Sequence, residues 1–94
     1  MYGAGQGARW LISGRVQGVG FRWFVVSQAE RLGIRGWTRN LPDGRVEVVG
    51  SGEGSALAAF EQAISRGPRI SRVDSVEKTD CPDEVASYKS FHIK

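Results

Sequence analysis

Gly14-Arg15-Val16-Gln17-Gly18-Val19-Gly20-Phe21-Arg22 marks the point where the chain changes from a β-like pattern to a helical one. Ahead of it, residues 8–13 carry Trp10, Leu11 and Ile12 and read as a strand. Behind it, Phe21, Val25, Ala29 and Leu32 recur at helical spacing and share one face, predicting a helix over residues 21–32. Gly33 stops that helix. A left-handed residue there, followed by apolar Ile34, suits a Schellman-type end in which Ile34 folds back on Ala29.

From this junction the remaining elements follow in order. Residues 34–40 read as a second strand, and Leu41-Pro42-Asp43-Gly44 has proline and glycine at the second and fourth positions of a type I turn. Residues 45–49 then form the hairpin partner, with Val46 and Val48 on one face. Ser55 is a good N-cap for a second helix carrying Leu57, Phe60 and Ile64 on its buried side, and Gly67-Pro68 ends it. A strand over residues 70–79 follows through Val73 and Val76, then a polar loop over residues 80–87 and a short closing strand with Phe91 and Ile93. The order β-α-β-β-α-β, with room for a short fifth strand, predicts an α+β ferredoxin-like sandwich: a mostly antiparallel sheet with two helices on one face. The expected organisation is a flexible N-terminal tail over residues 1–7 and a single domain over residues 8–94.

The totals bound the function. At 94 residues and 40% hydrophobic content, the chain holds one ordinary globular core. It has no run apolar enough to span a membrane and no signal-peptide core at its start, so a cytoplasmic location is expected. Cys81 is the only cysteine and can form neither an internal disulfide nor a thiolate metal site. Charge is uneven. Through residue 50, seven arginines face only Glu30, Asp43 and Glu47, whereas six basic and seven acidic residues follow. That bias favours small phosphorylated anions or nucleic acid as partners.

The basic half contains the glycine-rich junction. Gly18 and Gly20 let the backbone take positive φ, so that successive N–H groups from Arg15, Val16, Gln17, Gly18, Val19 and Gly20 can converge on one anion. The helix that follows adds unpaired N–H groups and its positive dipole end. Arg22 is unexpected in a first helical turn, which favours acidic side chains. No acidic residue precedes Glu30 to compensate for it, so an anionic ligand is the natural partner.

The same string resembles the signature of the acylphosphatase family, small enzymes that hydrolyse the carboxyl-phosphate bond of acyl phosphates. A second block, Gly36-Trp37-Thr38-Arg39-Asn40-Leu41-Pro42-Asp43-Gly44-Arg45-Val46, followed by Gly52, is similar to that family's other motif. With the Gly67-Pro68 helix end and Phe91-His92-Ile93, the resemblance covers nearly the whole chain. It implies the ferredoxin-like fold and an acyl phosphate as substrate with inorganic phosphate as product. Phosphate is expected to compete with substrate because it offers the same oxygens to Arg22 and the loop, and a monomer without cofactor or metal is expected. It also implies a phosphate-binding catalytic role for Arg22 and a water-positioning role for Asn40. Thr38 departs from the pattern, which usually has a small apolar residue there; its hydroxyl is expected to reduce stability without touching the mechanism.

These roles suit the chemistry. An acyl phosphate already carries a good leaving group, so catalysis reduces to holding the phosphoryl group, offsetting its charge and aiming a water. A guanidinium matches two phosphate oxygens, and a carboxamide accepts and donates hydrogen bonds without repelling an anion. Other chemistries fit poorly. The loop lacks the Gly-Lys-Ser/Thr ending of a nucleotide P-loop, and His92 alternates between Phe91 and Ile93 as an outward-facing ring would. Carboxylates are too scattered for a metal cluster. The rival on this topology is a non-catalytic RNA- or anion-binding module, but the third strand lacks the aromatics of an RNA-recognition motif. Trp10, Trp23 and Trp37 are therefore assigned to core or flank packing, and neither nucleic acid nor membrane is expected as a partner. A third reading, a domain of a larger carbamoyl-phosphate-handling maturation enzyme, would call for cysteine-rich segments downstream. None occurs here, and the chain is expected to be complete.

Overall fold

The computed structural model describes residues 6–80 and 88–94. Seven elements follow one another: β1 (Gln6–Arg15), α1 (Phe21–Leu32), β2 (Arg35–Asn40), β3 (Val46–Gly52), α2 (Gly54–Arg66), β4 (Arg72–Asp80) and β5 (Phe91–Ile93). They build one five-stranded sheet in the order β4-β1-β3-β2-β5. All neighbours are antiparallel except β2 and β5, which run parallel. The ferredoxin-like α+β arrangement is as expected, and the closing segment does add the short fifth strand.

Both helices pack on one face of the sheet, because alternate strand residues present apolar side chains there. Trp10 and Ile12 of β1 and Val46 and Val48 of β3 join Phe21, Val25 and Ala29 of α1 and Leu57, Phe60 and Ile64 of α2 in a single core. Phe60 is its hub, meeting Trp10 edge-on at 5.5 Å and Phe91 at 5.9 Å. Each such fully buried side chain contributes on the order of 2 kcal/mol. The opposite face holds a smaller cluster of Trp37 and Val49 with Tyr88 against it.

Helix α1 begins and ends where its sequence pattern does. Gly33 adopts φ 72°, its N–H bonds to the Glu30 carbonyl, and the Ile34 N–H bonds to Ala29 O at 2.8 Å. That pair of bonds is the Schellman motif. The hairpin also closes as expected: Gly44 N–H reaches Leu41 O at 3.1 Å and Leu41 N–H reaches Arg45 O at 2.8 Å.

Several boundaries differ from the sequence reading. Strand β1 starts at Gln6, so Gln6 and Gly7 pair with Gly52 and Ser51 instead of trailing as a tail; residues 1–5 lie outside the described residues. Strand β3 runs to Gly52, three residues past Val49, because Gly50 and Gly52 lie under the Ile34 side chain, where a Cβ would collide with it. Helix α2 is capped by Glu53, not Ser55. The Glu53 carboxylate accepts from the backbone N–H groups of Ser55 and Ala56 at 3.1 and 3.2 Å. The second helical face, Leu57, Phe60 and Ile64, is buried as expected. Most of the expected polar loop over residues 80–87, Cys81 included, lies outside the described residues.

Trp10 and Trp37 are buried, but Trp23 is 71% exposed. It stands on the side of α1 opposite Phe21 and Val25, where none of the described elements packs. His92 is exposed, with Ser90 Oγ 3.0 Å from its Nε2.

Candidate functional site

Strand β1 is steered toward the site by an irregularity. Its register against β4 shifts between Ser13 and Gly14, and Gly14 takes φ 132° with the Arg72 carbonyl where a Cβ would sit. Arg15, expected in the loop, is the last residue of β1 and pairs with Arg72. The loop proper is therefore Val16 to Gly20. Val16 is fully buried and Val19 packs against the core edge, so both side chains anchor the loop from below.

Above these anchors the backbone is open. Gly18 and Gly20 adopt φ 76° and 75°, and a Cβ on either would meet nothing within 4 Å. Their need for glycine is conformational, and the space over them is accessible to a ligand. Gly20 is also the N-cap of α1, with no side chain capping it and no acidic residue in the first turn. The first helical bond from this end runs from Phe24 N–H to Gly20 O at 3.0 Å, so the amides ahead of Phe24 have no partner within the helix.

Arg22 lies in that first turn, half-exposed, and among the described residues no carboxylate pairs with it. Asn40 ends β2, opposite Val46. Its Oδ1 is buried yet accepts no hydrogen bond within the described residues. An orphaned buried acceptor costs on the order of 1 to 3 kcal/mol, which makes it a feature to be explained by use.

One contact was not legible in the sequence. The Gln17 side chain leaves the loop and donates from Nε2 to Leu41 O at 2.8 Å and to Arg45 O at 2.9 Å. It thereby fastens the loop to the two carbonyls that close the hairpin beginning next to Asn40. No local pattern signals this bond, because its partners lie 24 and 28 residues away. The geometry thus ties the glycine loop, and with it the start of α1, to the end of β2.

Elsewhere, a groove of about 300 Å³ lies between α2 and the ends of β1 and β4, floored by Leu57 and edged by the Lys78–Glu61 ion pair at 3.1 Å. It shares no residue with the loop or with Asn40. Among the described residues, no three His, Cys, Asp or Glu side chains come together, and no helix is long and apolar enough to cross a membrane.

The domain is a small α+β sandwich in which Gln17 ties a glycine loop leading into Arg22 to the hairpin that follows Asn40. Comparison with known proteins identifies the family. The acylphosphatase family model matches residues 8–93. The acylphosphatase of Koribacter versatilis is 52% identical over 86 residues, covering 92% of this chain and 77% of the relative. That of Thermus thermophilus is 48% identical, covering 88% and 92%. The crystal structure of acylphosphatase from Bacillus subtilis superposes with a TM-score of 0.89 at 36% identity, covering 95% of this chain and 98% of that one. The chain belongs to the acylphosphatase family, the hydrolases of acyl phosphates.

Proposed function

We propose that this acylphosphatase works by direct attack of water on the phosphoryl group, with the loop amides and Arg22 holding the phosphoryl oxygens and Asn40 placing the water. The observation that carries this reading is the buried, unpartnered Oδ1 of Asn40, on a strand end fastened through Gln17 to the loop that leads into Arg22. A water donating to Oδ1 keeps a lone pair free to approach phosphorus.

In the reaction, the water oxygen bonds to phosphorus and the bond from phosphorus to the acyl oxygen breaks. The electron pair leaves on the carboxylate, and the water's proton passes to a phosphoryl oxygen or to solvent. Because the carboxylate leaves readily, neither a covalent intermediate nor a strong general acid is required. Catalysis rests on position and electrostatics, in which a fixed guanidinium outperforms a mobile ammonium. Losing one preorganised hydrogen-bond partner in such a site costs on the order of 3 kcal/mol, a hundredfold or more in rate.

Inorganic phosphate presents the same oxygens and should compete with substrate. The working form is a cytoplasmic monomer acting on a small molecule, without metal, cofactor, nucleic acid or membrane. This is supported by the lone cysteine and by the lack, among the described residues, of any group of three His, Cys, Asp or Glu side chains. The test is hydrolysis of benzoyl or acetyl phosphate by purified protein in excess chelator. Turnover that persists, with competitive inhibition by phosphate, is expected; loss of turnover restored by a divalent cation would overturn the metal-free mechanism.

A further inference from the structure

We infer that the side chain of Gln17, although it stands in the phosphate loop, positions the group that places the attacking water and takes no part in the phosphate grip, which is left to the loop's backbone amides. Its side-chain N–H groups are already committed. One Nε2 donates to Leu41 O and to Arg45 O at 2.8 and 2.9 Å, which accounts for both of its protons. Nothing remains on that nitrogen to offer an anion.

The two acceptors are not arbitrary. Leu41 O also receives the Gly44 N–H, and Arg45 O also receives the Leu41 N–H. Gln17 therefore fills the second lone pair of both carbonyls that close the hairpin, and Asn40 is the residue immediately before it. Loop and hairpin are otherwise remote in sequence. The loop sets where phosphorus sits, the hairpin sets where the Asn40 carboxamide sits, and the Gln17 bridge fixes one against the other. A displacement of about 1 Å between the two is enough to slow an in-line attack by a hundredfold.

The inference rests on the roles proposed above for Asn40 and the loop, and the experiment separates the two. Gln17→Met preserves side-chain length and removes both donors. With benzoyl phosphate, kcat is expected to fall at least tenfold, while KM and the inhibition constant of inorganic phosphate change less than threefold. In an Asn40→Ala background the same substitution is expected to lower kcat less than threefold, because there is no longer a carboxamide to position. Equal losses in phosphate affinity, or full additivity with Asn40→Ala, would overturn the inference. If Asn40→Ala alone proves silent, the reading of Asn40 fails instead.

Gln17→Glu supplies an independent readout. A carboxylate repels both carbonyls, whereas its protonated form donates one bond. Relative to the parent enzyme at each pH, this variant is expected to recover activity at least threefold as the pH falls from 7 to 5. A pH-independent deficit would contradict the hydrogen-bonding role.

Discussion

The Thr38 hydroxyl donates to the Glu47 carbonyl of the neighbouring strand at 2.9 Å, and Thr38 is fully buried. The departure from the family's apolar preference is thus a satisfied one, and the stability penalty anticipated for the hydroxyl is offset by its bond. Thr38→Val retains the β-branched shape and removes one neutral hydrogen bond. Urea unfolding is expected to change by no more than about 1 kcal/mol, with kcat and KM for benzoyl phosphate intact. A loss of several kcal/mol would mean that the hydroxyl holds the sheet together.

The side chain of the same Glu47 is 2% exposed and is held by Arg9 and Arg39, Nε to carboxylate, at 2.5 and 2.6 Å. Arg39 also lies over the Trp37 ring, 5.3 Å from its centroid. Either arginine alone still compensates the carboxylate, so Arg9→Ala and Arg39→Ala are each expected to cost about 1 kcal/mol. Together they strand a buried charge and should cost about 3 kcal/mol or more. A double-mutant cycle in urea measures the excess, and simple additivity would show that the two arginines act independently.

A glycine before the phosphate loop and one within it should respond differently. At Gly14 a Cβ runs into the Arg72 backbone, whereas at Gly18 it meets open space. Gly14→Ala is therefore expected to destabilise the fold by about 3 kcal/mol. Gly18→Ala should cost only about 1 kcal/mol of left-handed strain but weaken inhibition by inorganic phosphate. Thermal unfolding and phosphate inhibition of the two variants check the contrast.

At acid pH the caps matter. The Ser55 hydroxyl, then the Ala56 N–H, hold the Glu53 carboxyl below its usual range, and the Arg45 N–H does the same for Asp43. A folded-state pKa lower than the unfolded one stabilises above the unfolded value and loses that contribution as pH falls through the folded one. Stability should accordingly drop below about pH 4. Glu53→Gln is expected to flatten this acid limb, seen in urea midpoints between pH 3 and 7. An unaltered limb would deny the cap its charge.

What the sequence revealed and what it hid divide along physical lines. Helix α1, its Gly33–Ile34 end and the Leu41–Gly44 turn depend on neighbours within a few residues, so local pattern carried them. The extension of β3 through Gly50 and Gly52 did not show, because strand propensity reads side chains and these glycines are used for lacking one beneath Ile34. Glu53 was missed as a cap because its longer side chain reaches the amides that a shorter cap usually serves. Within the site, the residue types and the positive φ at Gly18 and Gly20 were legible. The Gln17 bridge and the unpartnered Oδ1 of Asn40 were not, since both depend on where the hairpin falls against the loop.

The division of labour between Arg22 and Asn40 is tested most directly by measuring kcat on benzoyl phosphate and the inhibition constant of inorganic phosphate for Arg22→Ala and Asn40→Ala side by side. The account predicts that Asn40→Ala loses a hundredfold or more in kcat while phosphate inhibition stays within threefold of the parent, and that Arg22→Ala loses both. Near-parental turnover in Asn40→Ala, or undiminished phosphate inhibition in Arg22→Ala, would contradict it.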